Sequence, residues 1–277
     1  MIQGTSSGAG KSTIVAGLCR IFSDAGHKVA PFKSQNMSSN LYQTAGGLKM
    51  ARAQAVQAVA ARCEPDARMN PILLKPLGDY RSEVLVNGRI YAEMHAREYY
   101  ENFVLKQGFP VALKALDSLR RENDVVVMEG AGSPAEINIA RYDIANMLLA
   151  EKVRSPVVIV ADIERGGCFA SIVGTMQLLR PKRRALVKGF LINKFRGDVE
   201  LLEPAIKTTE KMTRKRILGV VPKIDIQLPE EDSLDGGGNR TGSELLPKES
   251  WGWQMDLLAR AIRESADIER LNRVAGF

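Results

Sequence analysis

The stretch GTSSGAGKST, Gly4 to Thr13, places glycines at 4, 8 and 10 directly ahead of a lysine and two hydroxyl residues. These types at this spacing suit one chemistry, the holding of phosphate. Glycines allow a tight turn whose backbone N–H groups face an anion, Lys11 adds a mobile positive charge, and Ser12 offers a hydroxyl to Mg²⁺. Behind them Ile14, Val15, Leu18, Cys19 and Phe22 recur at helical spacing, with Gly26 as a stop. The segment therefore reads as a loop followed by a helix whose positive end faces the anion. Gly8, Ala9, Gly10, Lys11, Ser12 and Thr13 are the expected contacts to a nucleotide, ATP, with Lys11 across its terminal phosphates. Five residues separate Gly4 from Gly10, where the usual pattern has four before Gly-Lys, so the loop is a variant.

A phosphate loop needs a sheet to position it. Short apolar runs occur at 28–33, 124–129, 156–162, 189–195 and 217–222, separated by helical patterns. Near-continuous apolar strands of this kind belong to a parallel sheet covered on both faces, so the expected fold class is α/β. The sheet's first strand is normally central and about five residues long, yet Met1 to Gln3 leaves only a stub, so it is either trimmed or short here. Helices are expected over 49–63, which is alanine-rich, and from Arg97 to Asn123 with an interruption at Gly108 and Pro110.

Two carboxylates sit where such sheets bind ligands, at strand ends. Glu129 closes one apolar run and can complete a Mg²⁺ shell with Ser12, or simply cap or face solvent. Asp162 closes another, ahead of Arg165-Gly166-Gly167, and is either a metal or substrate ligand or a helix cap. Lys33 also stands at a strand end.

Composition narrows the class of protein. The 277 residues are 45% hydrophobic and 26% charged, ordinary for a soluble globular chain with a sizeable core. No apolar run approaches the roughly 20 residues of a membrane span, and neither membrane association nor a secretory leader is expected. Cys19, Cys63 and Cys168 are scattered without a Cys-x-x-Cys pair, which fits a reducing cytoplasm. The formal charge is +7, and Arg180 to Arg216 is rich in Lys and Arg. Lacking aromatic partners for base stacking, that stretch reads as a solvated face and not a nucleic-acid surface. A positive balance also suits an anionic small substrate beside ATP.

From Pro229 the composition turns to Gly, Ser, Pro and acidic residues with little apolar period. This gives three expected regions: a catalytic domain at 1–232, a flexible linker at 233–250, and a C-terminal helix at 251–277. In that helix Met255, Leu258, Ala259, Ile262 and Ile268 form one stripe.

The longer loop resembles that of the dethiobiotin synthetase-like amide ligases. Further motifs follow in order: APFKSQNMSSN (30–40), RAQAVQAVAA (52–61), MNPILLKP (69–76), VVVMEGAGSPAEIN (125–138), DIERGGCFASIVGT (162–175), INKFRGD (192–198) and LPEEDSL (228–234). Together they resemble the synthetase domain of the cobyric acid synthase family, from Gly4 to about Leu234. The resemblance implies a P-loop NTPase-like, dethiobiotin synthetase-like fold. It also implies ATP- and Mg²⁺-dependent amidation of corrinoid carboxylates through an acyl phosphate, on the route to cobalamin.

On that resemblance Lys33 steadies the transferring phosphate, Asn193 and Lys194 face the purine base, and Gln35, Asn36 and Gln54 meet substrate or metal. The family's usual glutaminase domain is not expected in these residues. Cys168 lies in GGCFA and reads as a small core thiol, not a nucleophile. Ammonia would then come free or from a separate glutaminase chain. The resemblance also allows a homodimer. Two other readings stay open: a degenerate or regulatory nucleotide-binding paralogue, and another carboxylate-activating enzyme of the dethiobiotin synthetase kind.

Overall fold

The computed structural model describes residues 1–226 and 248–277. Most of the expected linker, 233–247, and the motif at 228–234 lie outside the described residues. In chain order the first elements are β1 (Ile2–Gly4), α1 (Lys11–Asp24), β2 (Val29–Phe32), β3 (Gln35–Met37), β4 (Leu41–Gln43), β5 (Lys49–Ala51) and α2 (Arg52–Ala60). Then come β6 (Ile72–Gly78), β7 (Arg81–Val86), β8 (Arg89–His95), α3 (Ala96–Glu98), a wider π-helical stretch (Tyr99–Gly108), α4 (Phe109–Glu122) and β9 (Val125–Met128). The remainder is α5 (Met147–Val153), β10 (Val157–Asp162), α6 (Cys168–Leu178), α7 (Pro181–Leu186), β11 (Val187–Phe195), α8 (Glu203–Thr213), β12 (Arg216–Pro222), α9 (Lys248–Ser265) and α10 (Ile268–Ala275).

These elements form two compact units. One comprises Met1–Ile14, Glu129–Asp225 and Leu258–Phe277; the other comprises Val15–Met128 and Ile226–Leu257. The first unit holds a four-stranded parallel sheet in the order β1-β10-β11-β12. β10, β11 and β12 are apolar runs read from the sequence, β1 is the stub before the loop, and all six residues of β10 are buried. β1 is only three residues long, yet it is paired on both sides, with β10 on one and with Glu129 on the other through the Ile2 bridge. Val157, Ile159, Ala161, Ile172, Met176 and Phe190 pack together as its core, the Val, Ile, Met and Phe side chains each contributing about 1.5–3 kcal/mol by leaving water. Cys168 belongs to this cluster, and burial pushes its thiol up to about 11. The core-thiol reading is thus borne out.

In the second unit β2 pairs parallel with β9, again as the apolar runs implied. The same unit contains a mixed sheet, β3-β6-β7-β8, and a small antiparallel pair, β4 with β5. Neither was expected. Lys49 to Ala51, expected as the start of a helix, are instead strand β5, and the helix begins at Arg52. Backbone pairing with β4 outweighs the helical preference of an alanine-rich run. The interruption expected at Gly108 and Pro110 is a change of winding: the π-helical stretch runs directly into α4, where Pro110 occupies the first turn and removes no needed N–H.

The tail is two helices and not one. The chain breaks at Ala266, Asp267 caps α10 by accepting from Arg270 N–H, and the Asp267 N–H donates to Leu218 O at 2.7 Å. Met255, Leu258, Ala259 and Ile262 form the buried stripe, while Ile268 falls in the second helix. Among the described residues, no helix is long and apolar enough to cross a membrane.

Candidate functional site

The phosphate loop lies wholly in the first unit, between β1 and the start of α1. Lys11 is buried, and its ammonium donates to Ser6 O at 3.0 Å. Ser12 Oγ donates to Glu129 Oε1 at 2.8 Å, although 117 residues separate them. The sheet explains this meeting. Ile2 bridges Glu129, and Gly130 N–H donates to Ile2 O at 2.8 Å, so the residues after β9 run beside the strand that launches the loop.

The loop is braced on its carbonyl side from the ends of β10 and β11. Asn193 Nδ2 donates to Ala9 O at 3.0 Å, and Lys194 Nζ donates to Gly8 O at 2.7 Å and to Asp162 Oδ2 at 2.8 Å. Parallel register places Asp162 opposite Asn193, which fixes this group at one level of the sheet. Asp162 Oδ1 in turn accepts from Glu164 N–H at 2.8 Å. Asn193 and Lys194, the residues expected at a purine base, both bond the loop backbone, and Asp162 pairs with Lys194. Gly10 explains its own identity: its φ is +91°, and a Cβ there would stand 2.1 Å from Asn193 Nδ2.

Three further residues support the carboxylate arm and were missed in the sequence. A Cβ on Gly130 would meet Asn146 Oδ1 at 2.1 Å and Gln3 Cγ at 3.1 Å, so the backbone after Glu129 is held against both side chains. Asn146 Nδ2 donates to Ala131 O at 2.6 Å and to Asp143 Oδ1 at 3.0 Å. Burial pushes the Asp143 carboxyl up to about 6, against the opposing pull of the two Asn146 N–H donors. The available signals were a polar Gln3 inside an apolar strand and the Asp-x-x-Asn spacing just ahead of α5.

A hydroxyl hydrogen-bonded to a fully buried carboxylate is a hard oxygen pair, which fits Mg²⁺. Among the described residues no group of three His, Cys, Asp or Glu could hold a metal by itself. This donor set therefore suits an ion that takes its other ligands from phosphate and water.

The remaining expected residues belong to the second unit. Lys33 is fully buried at the end of β2, its N–H donating to Met69 O at 2.8 Å and its carbonyl accepting from Asn70 Nδ2 at 3.1 Å. Asn36 Nδ2 donates to Gln54 Oε1 at 2.9 Å, both side chains being buried. Gln35 Oε1 accepts from the Tyr99 hydroxyl at 2.7 Å, and burial raises the Tyr99 pKa.

Residues 1–233 match the family described as "CobQ/CobB/MinD/ParA nucleotide binding domain". The chain is 55% identical over 232 residues to the cobyric acid synthase of Caldanaerobacter subterraneus subsp. tengcongensis, covering 84% of this chain and 45% of that protein. It is 54% identical over 234 residues to a probable cobyric acid synthase of Thermococcus kodakarensis, covering 84% and 48%. The chain thus spans about half the length of these relatives. Among solved structures, the septum site-determining protein MinD of Pyrococcus horikoshii with Mg-ADP gives a TM-score of 0.43 at 16% identity, covering 80% of this chain and 81% of that one.

Proposed function

Because the chain belongs to the CobQ/CobB/MinD/ParA nucleotide-binding domain family, we propose that it is the synthetase part of a cobyric acid synthase, an ATP-dependent amide ligase. The substrate in this reading is a corrinoid, cobyrinic acid a,c-diamide, whose peripheral carboxylates become amides on the way to cobyric acid. The observation that carries it is the Ser12 to Glu129 hydrogen bond beside buried Lys11, in a chain more than half identical to named cobyric acid synthases.

A carboxylate does not react with ammonia until one oxygen is made a leaving group. In the proposed route a carboxylate oxygen attacks the γ-phosphorus of ATP, ADP departs, and ammonia then displaces phosphate from the acyl phosphate to leave the amide. Transfer of this kind is catalysed chiefly by positioning and charge neutralisation. The loop N–H groups and Lys11 bind the phosphates, and Ser12 with Glu129 would hold Mg²⁺. That ion, when bound, offsets the charge that builds on the phosphate oxygens. Asp162, Asn193 and Lys194 keep the loop in shape. Lys33 is assigned to the transferring phosphate and Gln35, Asn36 and Gln54 to the corrinoid, roles supported by family resemblance. Ammonia enters free or from a glutaminase on another chain.

The test is product mass, using the purified chain with ATP, Mg²⁺, cobyrinic acid a,c-diamide and either ammonium or glutamine. Conversion of carboxylic acids to amides with ammonium, lost in Glu129→Gln, is the expected result. ATP binding with no amide from either donor would overturn a stand-alone ligase and favour the regulatory reading.

A further inference from the structure

The Lys- and Arg-rich stretch noted between Arg180 and Arg216 is solvent-exposed at Lys188, Arg214 and Arg216, in keeping with a solvated face, and its charges are not evenly spread. Part of it closes around an open cavity of about 470 Å³ in the first unit, lined by Lys188, Glu210, Arg214, Lys215, Arg216 and Arg270. Its volume lies within the range of small-molecule sites. Four elements build it: Lys188 lies near the start of β11, Arg216 opens β12, Glu210, Arg214 and Lys215 come from α8 and the turn after it, and Arg270 comes from α10. In the sheet register Gly189 pairs with Arg216, so Lys188 stands at the same edge.

The charge there is unbalanced. Both oxygens of the lone lining carboxylate, Glu210, are in use: Oε2 accepts from Arg216 and Oε1 from Ile217 N–H, each at 2.8 Å. Lys188 Nζ donates to a backbone carbonyl, Ala185 O. Among the described residues Arg214, Lys215 and Arg270 have no ion-pair partner, and burial together with the nearby Lys188 lowers the Lys215 pKa. The C-terminus of α8 favours cations only within its last turn, so it does not account for Lys188 or Arg270, which come from other elements. Clustered like charges raise the free energy of the empty cavity and lower it when an anion enters.

We propose that this cavity binds a small oligophosphate. Guanidinium forks match phosphate oxygens in pairs, and with no aromatic side chain in the lining there is nothing on which a base would stack. The ligand is therefore recognised by its phosphates alone. The site is separate from the phosphate loop: Lys188 precedes Lys194 by six residues of the same extended strand, about 20 Å.

Inorganic tripolyphosphate is the probe, titrated calorimetrically into the chain and into Lys11→Ala, which removes the loop site. Binding that persists in Lys11→Ala and weakens about tenfold or more when Lys215→Gln or Arg270→Gln is added is the expected result. Arg270→Lys, which keeps the charge and loses the fork, should fall between. Melting temperatures of the variants serve as the folding control. No binding in Lys11→Ala, or equal affinity in folded Lys215→Gln and Arg270→Gln derivatives, would overturn the proposal. ATP in the same background distinguishes the phosphate source: affinity no tighter than that of tripolyphosphate supports recognition by phosphates alone, and clearly tighter affinity overturns it.

Discussion

The phosphate loop of the first unit is open to solvent at Ser6, Ser7 and Gly8 over a buried Lys11, whereas the Asn36–Gln54 pair of the second is buried, and the two regions are assembled differently. The loop is one short run of sequence whose geometry comes from its own glycines and whose bracing comes from strand ends in parallel register. The second unit's Asn36–Gln54 and Gln35–Tyr99 pairs join side chains 18 and 64 positions apart, with no local motif. The first arrangement tolerates little change at Gly10, Asn193 and Lys194, where side chains are set directly against the loop backbone. The second is held by mutual satisfaction of polar groups, so its parts should fail in a graded way.

Four changes can break or sharpen that contrast. On the proposed function Lys11→Ala should have the largest effect, lowering corrinoid-dependent ATP turnover by about 10³-fold or more, through loss of charge for the phosphates; because Lys11 is buried and bonded to Ser6 O, some loss of melting temperature accompanies it, and turnover is compared in the folded variant. Retained turnover would show that the loop is not the catalytic centre. Gly10→Ala should cost about 1–3 kcal/mol in urea unfolding and weaken ATP binding, through the clash with Asn193 and the positive φ. Adding Asn193→Ala restores the space and not the backbone freedom, so recovery should be partial.

In the second unit Asn36→Ala and Gln54→Ala should each cost about 1–2 kcal/mol, and the double variant should cost less than their sum. Strict additivity would mean the pair contributes nothing as a pair. The smallest effect is a pH dependence. Burial raises the Asp143 pKa from 3.8 to about 6, so the folded state binds the proton more tightly than the unfolded chain. Stability should therefore fall as pH rises through that window, by about 1 kcal/mol after allowing for partial exposure, and stay reduced above it. Asp143→Asn keeps an acceptor for Asn146 and should flatten the slope; an unchanged slope assigns it to other groups.

Legibility followed the same division. The parallel strands β2, β9, β10, β11 and β12 were visible because strands covered on both faces are almost wholly apolar. The β6-β7-β8 meander was not, although Asn87-Gly88 is a strong hairpin signal and joins β7 to β8 with positive φ at both residues. Strands with Lys75, Arg81 and Glu93 on them lack an apolar run. At the site, Lys11, Ser12 and Glu129 were named from type and position, and the fold sets Ser12 against Glu129; Asn146 and Gln3 were not named, because each meets a backbone distant in sequence, nor was Asp143, which acts through Asn146.

The sequence by itself determined the loop, the helix behind it and the apolar strands, since glycine spacing and side-chain period are local properties that the backbone expresses wherever the chain is placed. Only the tertiary structure decided that Ser12 reaches Glu129, that Asn193 and Lys194 hold the loop carbonyls, and that cations from the turn after α8 and from α10, β11 and β12 share one cavity. These are matters of register and burial. They depend on which strands pair and which side chains the fold brings together, and neither is a property of any single stretch of residues.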